Sequence, residues 1–140
     1  MPSMNVSAAS GVLGVLEYAT KQYMQTWKGH FDTVNTIKVP CRPMTSVLEE
    51  AGIPEVEYIS IDTQGAEEVV LKTSNLSAFT GVVLVEAEST AAAKNVRVRH
   101  MLLDAGFVQI PHILQPQRTR GGAGYNELYV RPSLVQPAWN

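Results

Sequence analysis

The sequence contains a single cysteine, Cys41, so it can form no internal disulfide and no cysteine-rich metal site. It carries no surplus of either charge: 11 Lys and Arg against 13 Asp and Glu leave a formal charge of -2. A chain so balanced has no overall attraction for nucleic acid or an anionic membrane, and neither is expected as a partner. It lacks any run approaching the ~20 apolar residues of a membrane-spanning helix. No Lys or Arg precedes the apolar stretch between Met1 and Leu16, and Glu17 closely follows it, a poor match to a secretory leader. The expectation is a soluble, cytoplasmic protein. There is no internal repeat and no linker rich enough to divide two domains. What is present, 140 residues with 45% hydrophobic and 17% charged, is the size and balance of one globular domain.

The first 35 residues read two ways, because Val12, Val15, Leu16, Ala19 and Tyr23 have helical spacing while Val12 to Tyr18 also suits a strand after Gly11. Thr36 to Val39 is a short strand, ended by Pro40 and Pro43, which lack amide hydrogens. A helix follows, with Thr45 or Ser46 as its cap, a Ser46/Glu49 capping box, an apolar stripe of Val47, Leu48 and Ala51, and Gly52 as its stop. Tyr58 to Asp62 (YISID) is a β-rich run, and Thr63-Gln64-Gly65 bends it into a helix carrying Ala66, Val69, Val70 and Leu71. Gly81 to Glu86 (GVVLVE) is almost wholly apolar, the pattern of a central strand covered on both faces. Ser89 or Thr90 can cap a helix to Ala105 that turns Val98, Met101, Leu102 and Ala105 inward and Arg97, His100 and Asp104 elsewhere; Gly106 ends it. Phe107 to Leu114 and Glu127 to Val130 are the last strands, around a glycine-rich polar loop from Gln115 to Gly124. Strands alternating with helices predict an α/β fold with a mostly parallel sheet, right-handed crossovers and helices on its faces, and the final pair adds one antiparallel strand.

Three stretches narrow this further: VPCRPMTSVLEEAGI (Val39 to Ile53), YISIDTQGAEEVVL (Tyr58 to Leu71) and VVLVEAE (Val82 to Glu88). Together with MLLDAGF and ELYV, they resemble the FkbM family of S-adenosylmethionine-dependent methyltransferases, whose pattern here is roughly I-D-x-E-G-A-E followed by a strand ending in V-E. The resemblance covers residues 39–132 of a single partial domain spanning 1–140, with 1–38 a variable N-terminal segment. It implies the second half of a Rossmann-like methyltransferase domain, ancestrally transferring a methyl group from S-adenosylmethionine to the hydroxyl of a small molecule or sugar. Two departures stand out. Gln64 occupies the position of a family glutamate. The glycine-rich turn and acidic residue that hold the cofactor in the family have no counterpart, since Gly11 and Gly14 are too sparse and Gly121, Gly122 and Gly124 lie near the C-terminus. The chain alone is therefore not expected to bind S-adenosylmethionine or to act unaided. A non-catalytic α/β binding or assembly module is the alternative.

In the resembled family the turn after the YISID strand faces the active site, which implies that Asp62 or Glu67 orients or deprotonates the acceptor, with Gln64, Gly65 and Glu86 contacting it. A structural reading stands beside each: Asp62 or Thr63 as helix cap, Glu67 as a favourable first-turn acid, Glu86 as a solvated strand end. His30 and His112 lack acidic or cysteine partners at ligand spacing, so no metal is expected. His100 reads as a surface residue, Cys41 as a quiet thiol, Arg118 and Arg120 as an exposed loop, and Trp27 and Trp139 as packing residues. In a complete domain the Tyr58 to Asp62 strand would be central. Here its outer edge needs a cover, either residues 1 to 38, a second copy in a homo-oligomer, or a partner chain.

Overall fold

A computed structural model describes residues 3–9, 12–26, 36–111 and 124–135, and within them the chain builds two separate sheets. Of the two readings of the first 35 residues the strand holds at Val12 and Val15: β1 (Ser3–Ala9) and β2 (Val12–Val15) pair antiparallel, and a short helix α1 (Lys21–Thr26) begins only after them. β3 (Thr36–Pro40) pairs with the other side of β1, giving the order β2-β1-β3. Trp27, His30, His112, Arg118, Arg120, Gly121, Gly122 and Trp139 fall outside the described residues.

The helix α2 (Met44–Glu50) starts one residue earlier than its presumed caps. Pro43, with φ -57°, takes the cap position and no side chain caps it, so the Ser46/Glu49 box does not form. Thr45 and Ser46 already lie inside the first turn, where a capping geometry is closed to them. The Thr45 hydroxyl instead accepts from the Asn75 amide at 2.8 Å and donates to the Thr73 carbonyl at 3.3 Å. Gly52 ends this region at φ +67° as expected.

The second sheet has the order β4-β5-β7-β6, from β4 (Val56–Ile61), β5 (Phe79–Glu88), β7 (Gly124–Val130) and β6 (Val108–Ile110). β4 and β5 are parallel, and β7 is antiparallel to both its neighbours. Three strands thus share one direction, and the single reversed strand is inserted between β5 and β6. The α/β fold is the one predicted, with the last two strands paired antiparallel, but the sheet is mixed: β4–β5 is its parallel pairing, because β7 inserts between β5 and β6.

Helices α3 (Glu67–Lys72) and α4 (Ala92–Asp104) connect the strands. The core lies between them and one face of the sheet: Leu71, Val98 and Leu102 from the helices meet Ile61, Phe79, Val83, Val85, Phe107 and Tyr129. Fully burying side chains such as Val83 and Val85 contributes ~1.5–3 kcal/mol each. β5 is central, yet its two faces are not equally covered as its apolar run implied. Phe79, Gly81, Val83, Val85 and Ala87 are buried, whereas Val82, Leu84 and Glu86 are only half-buried. A continuous apolar run permits two covered faces without requiring them, and α3, α4 and Leu48 of α2 all pack on the same one.

α4 carries no Ser89 or Thr90 cap either; Ala91 takes that position. Its attachment to β5 comes from Asn95, 4% exposed, whose amide donates to the Glu88 carbonyl at 2.7 Å.

Candidate functional site

Because β4 runs parallel to β5 in the register Tyr58↔Val82 to Ile61↔Val85, both strands deliver their carboxyl ends to one side of the sheet. Asp62 stands immediately past β4, and Glu86 and Glu88 end β5. The turn between Asp62 and α3 holds Gln64 and Gly65, and Glu67 opens α3 itself. Gln64 has φ 54° and Gly65 φ 112°, two consecutive left-handed residues. A non-glycine held there costs ~1–3 kcal/mol unless surrounding contacts compensate.

Those contacts come largely from Glu67. Its Oε1 accepts from the Thr63 amide (3.0 Å), the Thr63 hydroxyl (3.1 Å) and the Gly65 amide (3.0 Å), and its Oε2 accepts from the ammonium of Lys94. Glu67 is completely buried. Burial pushes its carboxyl up, but the Lys94 hydrogen bond and the Gly65 amide outweigh it and hold the group below the usual carboxylate range. Neither Asp62 nor Thr63 caps α3, since its cap position is Ala66 and no side chain bonds there. Glu67 reaches back from the first turn to clamp the bend instead.

Lys94 also contacts Glu88 Oε2 at 3.3 Å, and Glu88 Oε1 accepts from the Thr20 hydroxyl at 2.6 Å. Thr20 in turn accepts from the Tyr23 amide at the start of α1. The chain ahead of Thr20 lies directly on the turn: a Cβ built on Gly65 would sit 2.1 Å from the Tyr18 carbonyl oxygen. Gly65 is thus covered by the protein's own backbone and could not carry a side chain.

Asp62, Gln64 and Glu86 form the open part of the site. The Gln64 amide donates to Asp62 Oδ1 at 2.5 Å and lies 3.5 Å from Glu86 Oε2. Asp62 is exposed and Glu86 half-buried. Burial, then the charge of Asp62 and a hydrogen bond to it, then the charges of Glu67 and Glu88, push the Glu86 carboxyl up to about 8, so it is no freely solvated strand end. Tyr23, 6% exposed, borders the same acids: burial first, then Glu86, Asp62 and Glu88, raises its phenol above the ordinary value. Asp62, Glu67 and Glu86 bring carboxylate oxygens within 4.8 Å of one another, and the ammonium of Lys94 pairs with Glu67. A raised carboxyl, a second carboxyl and an amide gathered at the ends of two strands can meet a hydroxyl as both donor and acceptor and can move its proton.

Lys94, Thr20 and Tyr23 were not singled out from the sequence. Their partners are 27 and 68 residues away for the Glu67–Lys94 and Glu88–Thr20 bonds, and no local spacing signals such pairs. His100 is exposed on α4, as expected, and Arg97 beside it makes two 2.8 Å bonds to Glu68. The Cys41 thiol donates to the Val39 carbonyl at 3.5 Å.

For S-adenosylmethionine, a binding turn needs glycines whose Cα atoms stand open to the ligand. The described residues do not fit that need. Gly65 is filled by Tyr18 and Gly81 by the Glu57 backbone, whose carbonyl oxygen would lie 2.0 Å from an added Cβ; Gly52, with nothing within 4 Å, and Gly106, 3.5 Å from the Arg131 guanidinium, end α2 and α4 rather than beginning a helix. No helix of the described residues is long and apolar enough to cross a membrane.

The Methyltransferase FkbM domain matches residues 6–109. The match begins well upstream of Val39, so it takes in the β1-β2-β3 sheet as well as the acidic site, and it stops inside β6. No curated protein and no solved structure matches.

Proposed function

The chain belongs to the FkbM methyltransferase domain family, and from that premise we propose that it provides the acceptor side of an O-methyltransferase acting on the hydroxyl of a small molecule or sugar. Asp62 and Glu86 touch the acceptor hydroxyl, Gln64 steadies them, and Glu67 keeps the turn in shape from beneath. The observation that carries this reading is the pairing of Asp62 and Glu86 under one amide at the carboxyl ends of parallel strands, where open α/β sheets bind ligands. S-adenosylmethionine is the methyl donor in this family. Because the described residues offer it no glycine cradle, its binding falls to a partner chain or to residues other than these.

Calorimetric titration of the full chain with S-adenosylhomocysteine, alongside amide chemical-shift mapping with a panel of sugars and polyols, tests both halves. The expected result is no micromolar uptake of S-adenosylhomocysteine and ligand-induced shifts confined to residues around Asp62, Gln64 and Glu86. Micromolar uptake by the chain alone overturns the assignment of the donor elsewhere. Shifts that avoid the strand ends overturn the acceptor side.

A second reading, a non-catalytic assembly module, is favoured by one feature. Among the described residues β4 pairs only with β5, and Tyr58 at its middle is 61% exposed. An open apolar strand edge invites pairing with another chain, here a second copy or a partner covering the edge beside Asp62. On that reading Tyr58→Lys abolishes the association seen by light scattering, and a wild-type chain that is monomeric at every concentration removes the self-pairing form.

A further inference from the structure

We propose that Gln64 is a positioning residue whose amide steadies Asp62 and Glu86 as one hydrogen-bonded pair, and that its uncharged donor is what keeps this pair together. The proposal deepens the acceptor-side reading of those two acids, yet it stands on geometry that needs no ligand.

Among the described residues the acidic groups at the strand ends outnumber the cations that face them. Asp62 comes from the end of β4, Glu67 from α3, Glu86 and Glu88 from β5, and Tyr23 approaches from α1; α4 supplies Lys94. Lys94 is committed to Glu67 and Glu88, the two acids on the inner side. From β7, Asn126 lies opposite Glu86 in the strand register and brings no charge. Asp62 and Glu86 share a side-chain hydrogen bond of their own, and the Gln64 amide adds a donor that reaches the first at 2.5 Å and the second at 3.5 Å.

The backbone explains how a side chain from the turn gets there. Left-handed φ at Gln64, followed by left-handed φ at Gly65, folds the turn so that residue 64 points back over the end of β4 toward β5. The Glu67 clamp on Thr63 and Gly65 and the Tyr18 backbone on Gly65 keep that turn in place. The conformation is thus imposed by neighbours on both sides, and the identity of residue 64 decides what it delivers. A glutamine delivers two N–H donors. An ionised glutamate of the same shape delivers none and adds a further negative charge to a site that already stores a proton to limit repulsion.

The experiment is a carbon-detected pH titration of the side-chain carboxyl groups in the full chain, comparing wild type with Gln64→Met and Gln64→Glu. Methionine keeps the length and removes the donor, so the latest-titrating carboxyl should move upward. Glutamate also adds charge and should move it further, by ~1 unit or more. Should the methionine variant fail to fold, Gln64→Asn takes its place. Asparagine tolerates the left-handed backbone but is one carbon shorter, so it loses the bridge and gives the same upward shift. Wild-type titration in a folded variant overturns the proposal, as does a downward shift in Gln64→Met. Because no ligand is present, either outcome defeats the bridge and leaves the acceptor-side reading to its own binding experiment.

Discussion

The two ends of the β4–β5 sheet solve opposite problems of charge. At the carboxyl ends stand four acids, Asp62, Glu67, Glu86 and Glu88, and among the described residues one ammonium, that of Lys94, which pairs with Glu67 and Glu88. At the amino ends a single guanidinium, Arg131, serves neutral acceptors: its three nitrogens donate to the carbonyls of Phe79 (2.8 Å), Ala105 (2.6 Å) and Leu76 (2.6 Å), and the group lies 3.9 Å from the centre of the Phe107 ring. Among its described partners there is no carboxylate. A cation spread over dipoles is satisfied at every pH at which the protein folds. An excess of acids is not, and it must store a proton, which Glu86 does. The end that cannot balance itself is the end where chemistry is expected, and the balanced end is mechanical.

That contrast breaks most visibly at Lys94. Lys94→Met leaves Glu67 buried and ionised with no cation, a change that costs ~3–5 kcal/mol when one partner of a buried pair is removed. Urea unfolding at neutral pH should show this loss, and the double variant Glu67→Gln/Lys94→Met should recover most of it, since glutamine still accepts from Thr63 and Gly65. A loss under ~1 kcal/mol would mean that the pair is solvated. At the other end, Arg131→Met leaves three carbonyls without their donor and removes the contact with Phe107, at a cost of ~2–4 kcal/mol. The two losses should differ in kind: that at Lys94 shrinks as acid protonates Glu67, and that at Arg131 is the same across pH.

Much of the sheet was legible because it rests on local signals. YISID is a strand because its β-branched and aromatic residues end at a polar turn, and Gly52 and Gly106 mark helix ends with left-handed φ. The meeting of Asp62, Gln64 and Glu86 followed from expecting two parallel strands, which must deliver their ends together. Other features were out of reach. The Ser46/Glu49 box matched a capping pattern, but Pro43 starts α2 a residue sooner, a choice local spacing cannot rank. Arg131 and Lys94 look like ordinary surface cations until the fold brings up partners 26 to 55 residues distant for the one and 27 for the other. Glu67 was legible as part of the site, but its side chain faces the turn it clamps.

The finest test of the comparison concerns the stored proton itself. A carboxyl raised from 4.5 to about 8 in the folded protein binds its proton more tightly there than in the unfolded chain. The stability this contributes is complete below pH 4.5 and fades as pH rises through about 8. Glu67 and Glu68 act in the reverse sense. Lys94 and the Gly65 amide hold the first carboxyl low against burial, and Arg97 and then Lys72 bring the second to about 2, so their contribution is present above 4.5 and lost toward acid. Glu68 is paired at the surface and its share is small. Wild-type stability should therefore peak in weak acid and decline toward alkaline pH. Glu86→Gln keeps the shape and needs no proton, so its stability should stay level through the window in which the wild type declines, leaving it ahead by ~1 kcal/mol or more at the alkaline end. Guanidinium unfolding midpoints measured across that range would show the two curves parting. If they stay parallel, the excess of acid is relieved by solvent rather than by Glu86, and the carboxyl end of the sheet is no more strained than the end held by Arg131.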